Sequence, residues 1–98
     1  MVDNLYLVTR STFERTAWRL ALRLAQSGDT ICFIQDAVLA VKGPLELRDK
    51  MAELESKGVD LRFLAEDLNA RSLNASREKT VDYEGLVELI EKASRIIT

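Results

Sequence analysis

Hydrophobic positions in this chain alternate between short unbroken runs and stripes at helical spacing. Ile31, Cys32, Phe33 and Ile34 form an apolar run bounded in front by Gly28 and Asp29. A short run rich in β-branched and aromatic residues reads as a strand buried on both faces, as in a parallel sheet covered by helices. Gln35 and Asp36 interrupt the run, and residues 37–41 resume the apolar character. A second strand is predicted over residues 4–9 (NLYLVT). Ser11 and Glu14, three apart, match a capping box. They open a helix predicted to run to about Ser27, with Phe13, Ala17, Leu20, Ala21 and Leu24 on one face and Trp18, Leu22 and Ala25 widening it.

Gly28 is placed to end that helix as a left-handed cap. Gly43-Pro44 opens the next helix, since Pro suits the first helical position. Its apolar stripe is narrow, Leu47, Met51 and Leu54, which predicts a helix only partly covered by the sheet. Glu46–Lys50 and Glu53–Lys57 are spaced for helical ion pairs. Lys57-Gly58 closes the helix. Residues 59–65 (VDLRFLA) form the third strand, with Leu61 and Phe63 opposite Arg62, a pattern that places it nearer an edge. A short helix with an acidic start, Glu66-Asp67, follows. Residues 72–79 read as a loop and Thr80-Val81 as a stub of strand. Asp82 caps a last helix in which Leu86, Ile90, Ala93 and Ile97 recur at helical spacing.

This β-α-β-α-β-(turn)-β-α order predicts an α/β fold, a small parallel sheet with helices on both faces and right-handed crossovers. At 98 residues it is expected to be one domain, long enough for one core. Its composition, 47% hydrophobic and 31% charged, is that of an ordinary globular chain rather than a disordered one. Lys+Arg 14 against Asp+Glu 16 leaves a net charge of -2, without the basic excess of a dedicated nucleic-acid binder. No apolar segment approaches the roughly 20 residues that span a bilayer, and the N-terminus does not read as a signal peptide. The single Cys fits a reducing cytoplasm.

The chain has no His, which removes the commonest general base and zinc ligand; no metal site or cofactor is expected. Its four glycines are too scattered for a phosphate-binding loop. Cys32 is the one candidate thiol nucleophile, yet it sits inside an apolar run, where a structural Cys is the competing reading. Gln35 and Asp36 stand where an α/β sheet places its ligand and partner sites, beyond a strand's carboxyl end. The competing reading is that Asp36 caps the following turn and Gln35 satisfies nearby backbone groups. A phospho-accepting Asp36 would require an acidic pair after the first strand, where Thr9-Arg10-Ser11 stand instead. Asp67 and Arg71, four apart, form either a helical ion pair or part of a site. Tyr83, beside Asp82, is either a packing aromatic with a wet hydroxyl or part of a site. Arg15, Arg19 and Arg23 make a row that reads as a solvated face or a strip for RNA phosphates or an acidic partner.

The segments SGDTICFIQDAVLA, LAEDLNARSL and VDYEGLVELI, in this order and spacing, together with LYLVTRSTFER, resemble the DsrH/TusB family over nearly the whole chain. The resemblance implies a three-layer α/β/α domain of the DsrE/DsrF/DsrH-like kind. It also implies a cytoplasmic sulfur-relay role in a heterohexamer with DsrE/TusD-like and DsrF/TusC-like subunits. Such complexes pass persulfide sulfur towards tRNA wobble 2-thiouridine in one branch and serve sulfur oxidation in the other. Gln35, Asp36, Ala37 and Val38 match one family motif, Asp67, Ala70 and Arg71 a second, and Asp82, Tyr83, Val87 and Leu89 a third. Ser72 departs from the family's usual Gly, which puts the turn after Arg71 in question. Ala21 stands where some members carry a cysteine, and the complex's main sulfur-carrying cysteine is on the DsrE/TusD subunit. The resulting expectation is a non-catalytic subunit whose motif residues Gln35, Asp36, Asp67, Arg71, Asp82 and Tyr83 shape an interface or a partner's site. It binds no nucleic acid directly and no membrane, and it forms a homo-oligomer when alone. The rivals are a sulfur carrier through Cys32 and a self-associating small-ligand binder.

Overall fold

The fold is seen in a computed structural model, which describes residues 3–9, 16–43 and 45–98. Along the chain run β1 (Asn4–Val8), α1 (Thr16–Leu24), β2 (Thr30–Phe33), a 3-10 helix (Gln35–Lys42) and α2 (Leu45–Ser56). Then come β3 (Asp60–Leu64), α3 (Ala65–Ala70), a 3-10 turn (Arg77–Lys79), β4 (Thr80–Val81), α4 (Tyr83–Lys92) and β5 (Arg95–Ile97). The strands pair in the order β4-β3-β2-β1-β5, and every pairing is parallel.

The register sorts side chains by face. Tyr6, Ile31 and Leu61 align across three strands, as do Val8, Phe33 and Phe63. These six share a core with Trp18 and Ala21 of α1, Ala25 just after it, Leu54 of α2 and Leu68 of α3. Phe33 anchors it, stacked on Phe63 at 4.9 Å between centroids and tilted against Trp18 at 5.8 Å. Alternation along each strand turns Leu5, Cys32 and Leu64 to the opposite face, where they are also buried. The chain steps from β1 to β4 in one direction and then returns across the sheet to β5. Right-handed crossovers therefore put α4 on the face opposite α1, α2 and α3. No residue of α4 belongs to the first-face core. This is the expected α/β arrangement with helices on both faces.

Three expectations are corrected. The first helix ends at Leu24, and its inward face runs through Trp18 and Ala21 and on to Ala25 just beyond it, leaving Leu24 exposed. Ile97 does not continue the last helix. Residues 95–97 pair with β1 as a fifth strand, too short to carry its own periodicity. Neither Glu46–Lys50 nor Glu53–Lys57 forms an ion pair; among the described residues Glu55 instead meets Lys79 at 3.1 Å. Tyr83 is 55% exposed. The Ser11–Glu14 capping box, Phe13, Arg15 and Pro44 lie outside the described residues, as do the side chains of Ala17 and Arg19. Gly28 and Gly58 take the left-handed φ their positions need, +97° and +93°. Among the described residues no helix is long and apolar enough to cross a membrane.

Candidate functional site

Three adjacent strands, β4, β3 and β2, end side by side, and each is followed at once by one of the motif segments. Gln35 and Asp36 follow β2, Asp67 and Arg71 lie in and after the helix that follows β3, and Asp82 and Tyr83 follow β4. The fold thus gathers all six predicted site residues at the carboxyl end of a parallel sheet, the end where α/β folds place their sites.

The short helix α3 ties the segments together. Asp67 Oδ2 accepts a hydrogen bond from the Gln35 backbone N–H at 2.6 Å. Gln35 has φ +52°, a left-handed conformation that costs a non-glycine residue about 1 kcal/mol or more; the carboxylate secures it there. Asp36 does not cap the turn, as one reading of the sequence had it. The cap position is Ile34, with no side-chain bond. Asp36 Oδ1 instead accepts from Arg71 Nη2 at 2.7 Å, although its side chain is 67% exposed. Arg71 Nη1 also donates to the Asp67 backbone carbonyl at 3.2 Å and lies 3.7 Å from the Asp67 carboxylate. The guanidinium therefore bridges two segments instead of closing one helical pair.

What holds Arg71 in place is the end of α3. Ser72 N–H donates to Asn69 O at 3.1 Å and Leu73 N–H to Leu68 O at 2.9 Å. Ser72 has φ +54°, and Leu68 and Leu73 are both buried. These are the bonds, the left-handed residue and the apolar contact of a Schellman cap, a position that favours glycine. The resemblance put a glycine at this position; Ser72 takes the left-handed conformation there itself. Ser72 and Gln35 are the two non-glycine residues with positive φ among those described, and each adjoins one partner of the Arg71–Asp36 pair.

The third segment joins through Glu66, which sequence reasoning recorded only as an acidic helix start. Its Oε2 accepts from the Tyr83 N–H at 3.2 Å, while its Oε1 is buried without a partner among the described residues. Asp82 Oδ1 accepts from Gly85 N–H at 2.7 Å, which is the N-cap expected of it. The assembled end carries Asp36, Glu66, Asp67 and Asp82 against Arg71. The elements that follow these strands also leave apolar side chains in solvent: Leu39 at 42% on the 3-10 helix, and Tyr83 at 55%, Val87 at 52% and Ile90 at 37% along α4. Such a surface suits contact with a basic and apolar partner rather than with phosphates.

Cys32 lies elsewhere, mid-strand in β2 between Leu7 and Arg62, and it is fully buried. Burial pushes its thiol up to about 12, with Arg62 opposing and Asp60 and Asp67 reinforcing the shift. Both its burial and the raised pKa favour the protonated, inaccessible thiol at neutral pH.

A family model described as DsrH like protein matches residues 10–96 of this chain. Protein TusB of Photorhabdus laumondii subsp. laumondii is 35% identical to it over 91 residues, which cover 90% of this chain and 92% of that protein.

Proposed function

Because the chain belongs to the DsrH family, we propose that it serves as a non-catalytic subunit of a cytoplasmic sulfur-relay complex. In this reading it holds DsrE/TusD-like and DsrF/TusC-like subunits while persulfide sulfur moves through their cysteines, towards tRNA wobble 2-thiouridine or in sulfur oxidation. The carrying observation is a contrast within the chain. Its one thiol is sealed in the sheet, whereas the Asp36–Arg71 pair and the Tyr83, Val87 and Ile90 side chains face outward. Accepting sulfur from a persulfide requires a thiolate on the accepting chain, and Cys32 does not supply one. Binding hot spots are enriched in Arg and aromatic anchors, and the carboxyl end of the sheet presents the partly exposed Arg71 and the exposed Tyr83. The acidic balance of that end supports a protein partner, with any tRNA contact made by other subunits.

The test is recovery of the tagged chain from its native cell, followed by native mass of the complex. DsrE- and DsrF-like chains in equal ratio are expected, with recovery cut by Arg71→Ala. A lone homo-oligomer from the native cell would sink the reading; the purified chain by itself is expected to form one.

A further inference from the structure

On the first face of the sheet, away from the motif residues, α2 and the 74–79 loop stand apart and leave a cleft of about 530 Å³. Its floor is apolar: Phe63 of β3, Ala40 and Val41 of the 3-10 helix, and Met51 of α2. Phe63 is 2% exposed and stacked on Phe33, so the floor belongs to the rigid core, while Met51 offers an adaptable wall. The cleft exists because α2 has only the narrow stripe Leu47, Met51 and Leu54 to bring against the sheet, and of these only Leu54 is fully buried.

The polar groups around this floor are mostly donors. Arg48 reaches the rim from α2, and Asn74 and Ser76 face it from the loop. Among the described residues none of these three side chains has a hydrogen-bond or ion-pair partner. The carboxylate in the lining, Glu55, is already neutralised by Lys79 at 3.1 Å, in an ion pair that ties the two walls together. An apolar floor of this volume with a few converging polar groups is the usual build of a small-molecule site. The uncompensated cation gives it a sign.

We propose that this cleft binds a small organic anion, its apolar body over Phe63 and Met51 and its carboxylate held by Arg48 with the Asn74 amide and Ser76 hydroxyl. The proposal is independent of the partner surface described above, since no residue is shared between them.

The probe is indole-3-acetate, compared with its neutral amide, indole-3-acetamide, by amide chemical-shift titration of the 98-residue chain. The acetate is expected to give saturable shifts confined to residues around Met51, Ala75, Ser76 and Lys79. It should bind about five-fold more tightly than the amide, roughly 1 kcal/mol for one partly screened charge. Arg48→Gln should erase that preference. Lys50→Gln, on the same helix but outside the cleft and with the same change of charge, should keep it. Equal binding of the two probes would make the cleft an apolar groove for a protein segment and overturn the proposal. Shifts centred elsewhere, or none that saturate, would overturn it too. These readouts need no partner subunit, so they stand whether or not the sulfur-relay reading does.

Discussion

Cys32 shows how one residue's chemistry is decided by its neighbours. Leu7 and Arg62 flank it in register, and the sheet withdraws it from water. Burial raises the thiol to about 12 from 9.0, so the unfolded chain ionises first as pH rises. The protonated thiol's contribution is therefore complete below pH 9 and lost between pH 9 and 12, with stability falling by at most about 1.4 kcal/mol per pH unit. Urea midpoints across that window should fall less steeply for Cys32→Ala than for the parent chain. Maleimide labelling of the folded chain at pH 7 should proceed only as fast as the protein opens, and fast stoichiometric labelling would restore the sulfur-carrier reading. Ser72 makes a second case. Its left-handed φ of +54° at a Schellman cap carries a steric cost that glycine lacks, so Ser72→Gly should stabilise by up to about 1 kcal/mol in urea unfolding. Asp29 makes a third. It is 3% exposed and accepts from the Asn4 N–H, the Asn4 side-chain amide and the Gln26 N–H at 2.9–3.2 Å. Asp29→Ala would strand these donors at the amino end of the sheet, at a cost of about 1–3 kcal/mol.

At the scale of elements, α4 is the one most dependent on its terminus, because none of its residues is fully buried. Asp82 caps it at 2.7 Å, and removing an N-cap carboxylate costs about 1 kcal/mol. Asp82→Ala should therefore lower the urea midpoint while Asp82→Asn largely preserves it. If both variants left the midpoint unchanged, α4 would owe its stability to packing alone. The segment after β2 teaches a different lesson. Residues 37–41 read as an apolar continuation, and in the fold they form a 3-10 helix with Ala37, Val38 and Ala40 buried and Leu39 outward. The sharp turn at Gln35 redirects the chain there, and it rests on a carboxylate 32 residues away. No local pattern encodes that bond.

For the molecule as a whole, the two faces of the sheet are covered unequally. Three helices cover one; the other has α4, with Val87 and Ile90 in solvent, and Ile96 of the edge strand β5 is 42% exposed. Apolar surface left this way marks association more often than chance. Val87→Asp with Ile90→Asp should leave the urea midpoint within about 0.5 kcal/mol, as exposed sites do, while sharply reducing association in native mass measurements. Unchanged association would move the interface away from α4.

The sequence by itself determined the alternation of strands and helices, the parallel sheet, the left-handed cap at Gly28, the cap at Asp82 and the family. Each of these rests on short-range rules: period, composition, turn chemistry and motif order. It also singled out Gln35, Asp36, Asp67, Arg71, Asp82 and Tyr83, which the fold brings to one end of the sheet. Only the tertiary structure decided that Arg71 bridges Asp36 and Asp67, that Glu66 joins the third segment, and that residues 95–97 form a strand. It likewise decided which face of α1 turns inward and that a cleft opens beneath α2. The physical reason is common to all five. A contact between residues tens of positions apart depends on the order in which strands stack, and a pattern read along the chain does not contain distances across it.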